Sequence, residues 1–102
     1  GVAEGVRRYV LDVDPARGAV TVGGYEDLLR REARVTGLTF VAGAPPGTDE
    51  PLLVQVRAHA TPFEGVLAGD VVRFASPQPR VAPGQVVAFY RGDVLLGGGL
   101  AA

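Results

Sequence analysis

The chain offers few residues that can do chemistry. It holds one histidine, His59, one serine, Ser76, and no cysteine. A lone histidine cannot build a histidine metal cluster. As a general base it needs an orienting partner within hydrogen-bond reach, and the sequence places none beside it. A half-exposed strand histidine is the simpler reading. Ser76 has no Gly-x-Ser-x-Gly elbow around it. Without cysteine there is no disulfide framework, thiolate metal site or sulfur nucleophile. Asp12 and Asp14 precede a Pro-Gly turn, where carboxylates serve turn geometry more often than cations. Gly97-Gly98-Gly99 does not open a helix as a phosphate loop does. It reads as a bend or as a site where another backbone approaches closely. No catalytic and no metal-ligating residue is expected.

The arginines are more informative. All ten basic residues are arginine, and Lys, Ile, Asn, Met and Trp are absent, as a GC-rich genome would produce. Arg57 and Arg73 fall on the outer faces of expected strands, and Arg34 can join them. Arg80 and Arg91 sit in nearby connections. If the strands pair suitably, these five side chains form a basic patch for phosphates. The competing reading is a solvated face balanced by Glu32, Glu64, Asp70 and Asp93. The formal net charge of -1 argues against a stand-alone, high-affinity nucleic-acid binder. Phe63 and Tyr90 are the aromatics available for stacking on bases, although core packing suits both.

The elements that must position these residues are short strands. Val6 to Val13 reads as a strand, Asp14-Pro15-Ala16-Arg17-Gly18 as a turn, and Ala19 to Val22 as the return. Gly23-Gly24 breaks the chain after this hairpin. Tyr25 to Leu29 suits one helical turn, with Glu26 and Asp27 near its positive end. Arg30 to Leu38 is a strand with Arg30, Glu32, Arg34 and Thr36 on a solvated face. Ala33, Val35 and the stem of Arg31 share the other face. Ala44 to Pro51 is a loop, with three prolines that exclude regular pairing. Leu52 to Ala60 is a strand with Val54, Val56 and Ala58 inward. Phe63 to Leu67 and Val71 to Ala75 flank the turn Ala68-Gly69-Asp70, with Val72 and Phe74 inward. Pro77-Gln78-Pro79-Arg80 is extended and cannot pair fully. Pro83-Gly84 starts a hairpin, Gln85 to Tyr90 returning through Arg91-Gly92-Asp93 to Val94-Leu96. Both of its faces are apolar, as in a closed barrel. The expected fold is all-β: a small antiparallel barrel of about six strands over 25–102, with an N-terminal β-hairpin over 1–24.

The 102 residues suffice for one modest core. Fifteen glycines and eight prolines favour turns over long helices. No apolar run approaches the roughly 20 residues that span a bilayer, so no membrane partner is expected. No signal peptide is visible, and the expected setting is the cytoplasm. Gly1 is not an initiator, so a processed product or a piece of a longer chain is expected.

Nearly the whole chain resembles a known family. Tyr9-Val10-Leu11-Asp12-Val13-Asp14-Pro15 with Ala19-Val20-Thr21-Val22-Gly23 is similar to the hairpin leading out of the central domain of bacterial tRNA-specific 2-thiouridylases. Asp27-Leu28-Leu29, Val35 to Gly43 with Pro45-Pro46, and Leu53-Val54-Gln55-Val56-Arg57 resemble their C-terminal barrel. Phe74 to Gly99 is the most specific part, with Pro83-Gly84-Gln85, Phe89-Tyr90, Gly92-Asp93 and Leu96-Gly97-Gly98-Gly99 in order. The departure is Ala58-His59-Ala60-Thr61, where the family often carries Tyr-Arg and further basic residues. The resemblance implies a parent enzyme that uses ATP to adenylate the 2-oxygen of the wobble uridine of tRNA, then installs sulfur from a persulfide. Its partners would be tRNA, its own N-terminal catalytic and central domains, and a sulfur-donor relay protein. The family's ATP loop and two cysteines are absent here, so no catalytic residue and no cofactor carries over. The implied role is non-catalytic: to assist tRNA binding and domain packing. The alternatives are a purely structural barrel, or a translation-factor-like module for protein contacts.

Overall fold

The computed structural model describes residues 8–57 and 61–102. Its elements in chain order are β1 (Tyr9–Asp14), β2 (Ala19–Gly23), α1 (Tyr25–Leu28), β3 (Leu29–Phe40), β4 (Leu52–Val56), β5 (Phe63–Ala68), β6 (Val71–Pro79), β7 (Val86–Arg91) and β8 (Val94–Ala101). β1 and β2 form a two-stranded sheet. The other six strands close into a barrel in the order β3-β6-β5-β4-β7-β8, every pair antiparallel. The fold is therefore the expected six-stranded barrel with an N-terminal hairpin, plus one short helix.

Turn chemistry sets the corners. Gly18, Gly69, Gly84 and Gly92 take φ values of 62–87°, a region that side chains with a Cβ avoid. At the first corner Asp14 accepts from the Arg17 N–H through both its carbonyl and its side chain. Alternation then selects the core. Leu52, Val54 and Val56 are buried while Leu53 and Gln55 are only half-buried. Val87 and Phe89 point inward from β7, and Phe89 is fully buried. With Val35, Phe63, Leu67, Val72 and Ala101 they fill the interior. Phe63 and Phe74 meet edge to face at 5.1 Å, a favoured aromatic geometry.

Closure depends on β8. Its three glycines do not bend the chain; the strand continues through them to Ala101. A Cβ built on Gly97 would lie 2.1 Å from the Thr39 carbonyl oxygen. On Gly98 it would lie 2.5 Å from that of Val87, and on Gly99 2.5 Å from that of Thr36. Of the two readings open for this stretch, close backbone approach is the one observed. β8 is squeezed between β7 and β3 more tightly than any side chain permits.

Other boundaries move. β1 starts at Tyr9, and the Val6–Arg7 part of the expected strand lies outside the described residues. β4 stops at Val56, and the expected inward Ala58 and the histidine His59 also lie outside them. β3 runs on to Phe40 because Gly37, at φ 63°, absorbs an extra residue against β8. β6 extends to Pro79, with Leu29 opposite Pro79 and Arg30 opposite Gln78. Its pairing is incomplete, as the prolines require. Between Arg30 and Glu32 of β3 the partner strand advances from Gln78 to Arg73. Arg31 faces this bulge and is exposed, rather than laying its stem on the inner face.

The two long connections, residues 41–51 and 80–85, each join strands on opposite sides of the barrel and so cross its two ends. Val81 packs on the core from one, and Pro46 is half-buried in the other. If the glycine contacts close the barrel, Gly97→Ala should cost about 1–3 kcal/mol in thermal unfolding. Gly47→Ala, whose Cβ would meet nothing nearer than Glu50 Cβ at 3.9 Å, should change stability by less than about 0.5 kcal/mol. Equal effects would contradict the packing described.

Candidate nucleic-acid interface

Strand alternation turns the arginines outward, and topology distributes them. Arg34 on β3 lies opposite Val71, and Arg73 on β6 lies opposite both Glu32 and Val66. The two are diagonal neighbours on the β3–β6 wall, a spacing of roughly 7–8 Å between backbones. Arg57 follows β4, where its N–H donates to the Val86 carbonyl at 3.0 Å. Arg80 follows β6, where its N–H donates to the Leu28 carbonyl at 2.9 Å. β4 and β6 finish at the same end of the barrel, so Arg57 and Arg80 share that end. Arg91 finishes β7 at the opposite end.

Two of the five already have acidic partners. Arg34 Nε lies 3.8 Å from Asp70 Oδ2, with both side chains exposed. Arg91 makes a bidentate contact with Glu50: Nη2 donates to Oε1 at 2.9 Å and Nε donates to Oε2. This fork ties the 41–51 connection to the end of β7. The hydrogen bond from Arg91 lowers the Glu50 carboxyl below its ordinary value, helped by the guanidinium charge. The same hydrogen bond raises Arg91. Among the described residues Arg57, Arg73 and Arg80 form no ion pair. Sequence reasoning misses Arg30 and Arg31 as site candidates. Both lie where β3 begins, beside the Arg80 backbone contact. Arg30 Nη1 donates to the Asp27 and Leu29 carbonyls at 2.9 Å. Nothing local in the sequence signals this grouping, because it arises from the pairing of Leu29 with Pro79.

The other candidates resolve as structure. Phe63 is buried and Tyr90 half-buried. Among the described residues no group of three His, Cys, Asp or Glu can hold a metal. No helix there is long and apolar enough to cross a membrane. Residues 30–101 match the model of the aminomethyltransferase beta-barrel domain. The chain belongs to that family. The barrel described above is this family's domain, with all six strands inside or at the edge of the matched range.

Individual relatives agree. The chain is 43% identical over 104 residues to the tRNA-specific 2-thiouridylase MnmA of Roseiflexus sp. (strain RS-1), covering 97% of this chain and 28% of the relative. It is 38% identical over 105 residues to the protein of that name from Synechococcus sp., covering 98% and 29%. For the Kineococcus radiotolerans protein the identity is 43% over 103 residues, covering 93% and 28%. The chain thus spans a little over a quarter of the length of the curated relatives it matches, and the stretch matched is their C-terminal region.

The Glu50–Arg91 fork gives a pH-dependent outcome. Glu50 has a lowered pKa in the fold, so its contribution is present above its ordinary pKa and lost as pH falls through the lowered one. Glu50→Gln should therefore lower Tm slightly at pH 7, and the difference should shrink toward zero as pH falls to about 3. A difference of equal size at both pH values would show that the substitution acts by another route.

Proposed function

We propose that this chain is the non-catalytic C-terminal part of a tRNA-specific 2-thiouridylase, assisting tRNA binding and domain packing. The observation that carries the reading is 43% identity across 97% of the chain to a protein of that name. The reaction, ATP-dependent 2-thiolation of the wobble uridine, belongs to the parent enzyme, as do ATP, the sulfur-donor relay protein and the cytoplasmic setting. Within the chain, residues 1–24 are assigned to a hairpin from the end of a central domain and 25–102 to the C-terminal β-barrel domain.

Two features support these roles. The hairpin carries Val10, Val13, Val20 and Val22, each more than half exposed. Val10 pairs with Val22 and Val13 with Val20, and a bulge at Leu11 sets all four on one face. A two-stranded sheet is marginal in water, so an apolar face of this kind suits a neighbouring domain. Arg57, Arg73 and Arg80, which form no ion pair among the described residues, supply cations for phosphates. Arg30 and Arg31 add charge beside Arg80. The second reading is a barrel that stabilises its neighbours without touching RNA. The neutralisation of Arg34 by Asp70 and of Arg91 by Glu50 favours it.

Unmodified tRNA binding by the full-length enzyme, measured across a salt series, separates the two. Replacing Arg57, Arg73 and Arg80 by alanine should weaken binding. It should also flatten the slope of log affinity against log salt by about 0.7–0.9 for each phosphate that is no longer neutralised. Unchanged affinity and slope would leave the structural reading standing.

A further inference from the structure

One wall of the barrel carries no charge. On β8, Leu95, Gly98 and Leu100 face outward, because Gly97, Gly99 and Ala101 pair in register with the inward side. On β7 their partners are Tyr90, Ala88 and Val86. On β3, Thr36 lies opposite Leu100 and Thr39 opposite Gly98. The row Thr39–Gly98–Ala88 has almost no side-chain bulk, while Leu95 and Leu100 rise on either side of it. The result is a groove of about 550 Å³, lined by apolar residues, glycines and one threonine. Val41 is 78% exposed, and Leu95, Leu100 and Val86 are each 43–47% exposed. Its floor is bare backbone, since a Cβ on Gly98 would strike the Val87 carbonyl.

We propose that this groove docks an apolar segment of the longer chain, from the part N-terminal to these 102 residues. The proposal rests on the reading of this chain as the C-terminal part of a longer enzyme. The chemistry of the wall selects the occupant class. With no cation among its lining residues, it has nothing to recognise a phosphate. A contiguous exposed apolar groove marks a contact with protein. Length and position select the source. The relatives are more than three times as long as the matched stretch. The described chain enters at the base of the hairpin, where Tyr9 pairs with Gly23 and Gly24 leads into the barrel. The described chain therefore begins at the barrel side of the hairpin, not at its far tip.

The test uses the full-length enzyme without tRNA. The 102 residues contain no cysteine, so a thiol placed in the groove is identified by the peptide that carries it. Leu95→Cys and Val86→Cys point outward and leave the core untouched. Each is labelled with a maleimide in native buffer and in urea, and the label is read by mass spectrometry of that peptide. Native labelling at least about tenfold slower than in urea is expected at both positions. Protection below tenfold at either position overturns the proposal. Protection that fades on dilution assigns the groove to a second copy and also overturns it. The arginine salt series does not involve this wall, so a failure of the RNA reading and a failure of the docking reading are separately visible.

Discussion

The tightest constraint in this protein is the approach of three backbones at Gly97-Gly98-Gly99. A six-stranded barrel of this size must bring every strand into register with two neighbours, and β8 is where the circle joins. Its neighbours differ in how they pair with it. β7 pairs with it along almost its whole length, with one irregularity beside Tyr90. β3 abandons β6 after Arg34 and takes up β8 at Val35, absorbing one residue at Gly37. Side chains at 97 to 99 would hold these strands apart. Their removal lets Phe89 be fully enclosed and lets both long connections seat across the open ends. The glycines lose more conformational freedom on folding than other residues do. Hydrogen bonding on both sides of β8 and burial of the Val87–Phe89 row offset that loss.

Much of this architecture is legible along the chain because its causes are local. Alternation at Leu52–Val56 and Gln85–Tyr90 identifies the inward residues. Positive-φ glycines stand at the corners where Asp-Pro-x-x-Gly, Ala-Gly-Asp, Pro-Gly and Arg-Gly-Asp announce turns. The points that escape are those with non-local causes. The triple glycine admits a bend or a close approach on local grounds, and only strand order decides between them. The full length of β3 depends on a bulge against a strand some sixty residues later. β6 continues past Pro77 because the start of β3 happens to meet it there, although the prolines do prevent a regular ladder.

The same division governs the charges. Outward placement of Arg34, Arg57 and Arg73 follows from alternation and is visible in the sequence. Charge balance is not. Asp70 reaches Arg34 because the β5–β6 corner abuts the middle of β3, where its carbonyl accepts from the Val35 N–H at 2.8 Å. Glu50 reaches Arg91 across 41 residues because a proline-rich connection crosses the barrel end. Its two hydrogen bonds make a fork of fixed geometry, so Arg91 is committed to structure. Arg34, held at longer range in open solvent, is committed far less. Of the arginines that form no ion pair among the described residues, Arg57 and Arg80 lie at the end where α1 joins the barrel and Arg73 lies on the β3–β6 wall.

Apolar exposure follows a related logic. A 102-residue chain cannot cover all of its apolar surface, and scattered exposed side chains are ordinary. Here they are not scattered. Four valines share one face of the hairpin, and a groove with no charged lining residue runs along β7 and β8. The barrel has no free strand edges, so it offers neighbours side-chain surfaces and not backbone hydrogen bonds. A partner on the β7–β8 wall must therefore be recognised by shape and apolar contact. A partner at the α1 end meets guanidinium groups. One closed scaffold thus presents two chemically distinct surfaces. Their separation follows from topology: β4 and β6 finish and β3 begins at the α1 end, where Arg57, Arg80, Arg30 and Arg31 lie, while the glycine-rich β8 admits no bulk at the centre of its own wall.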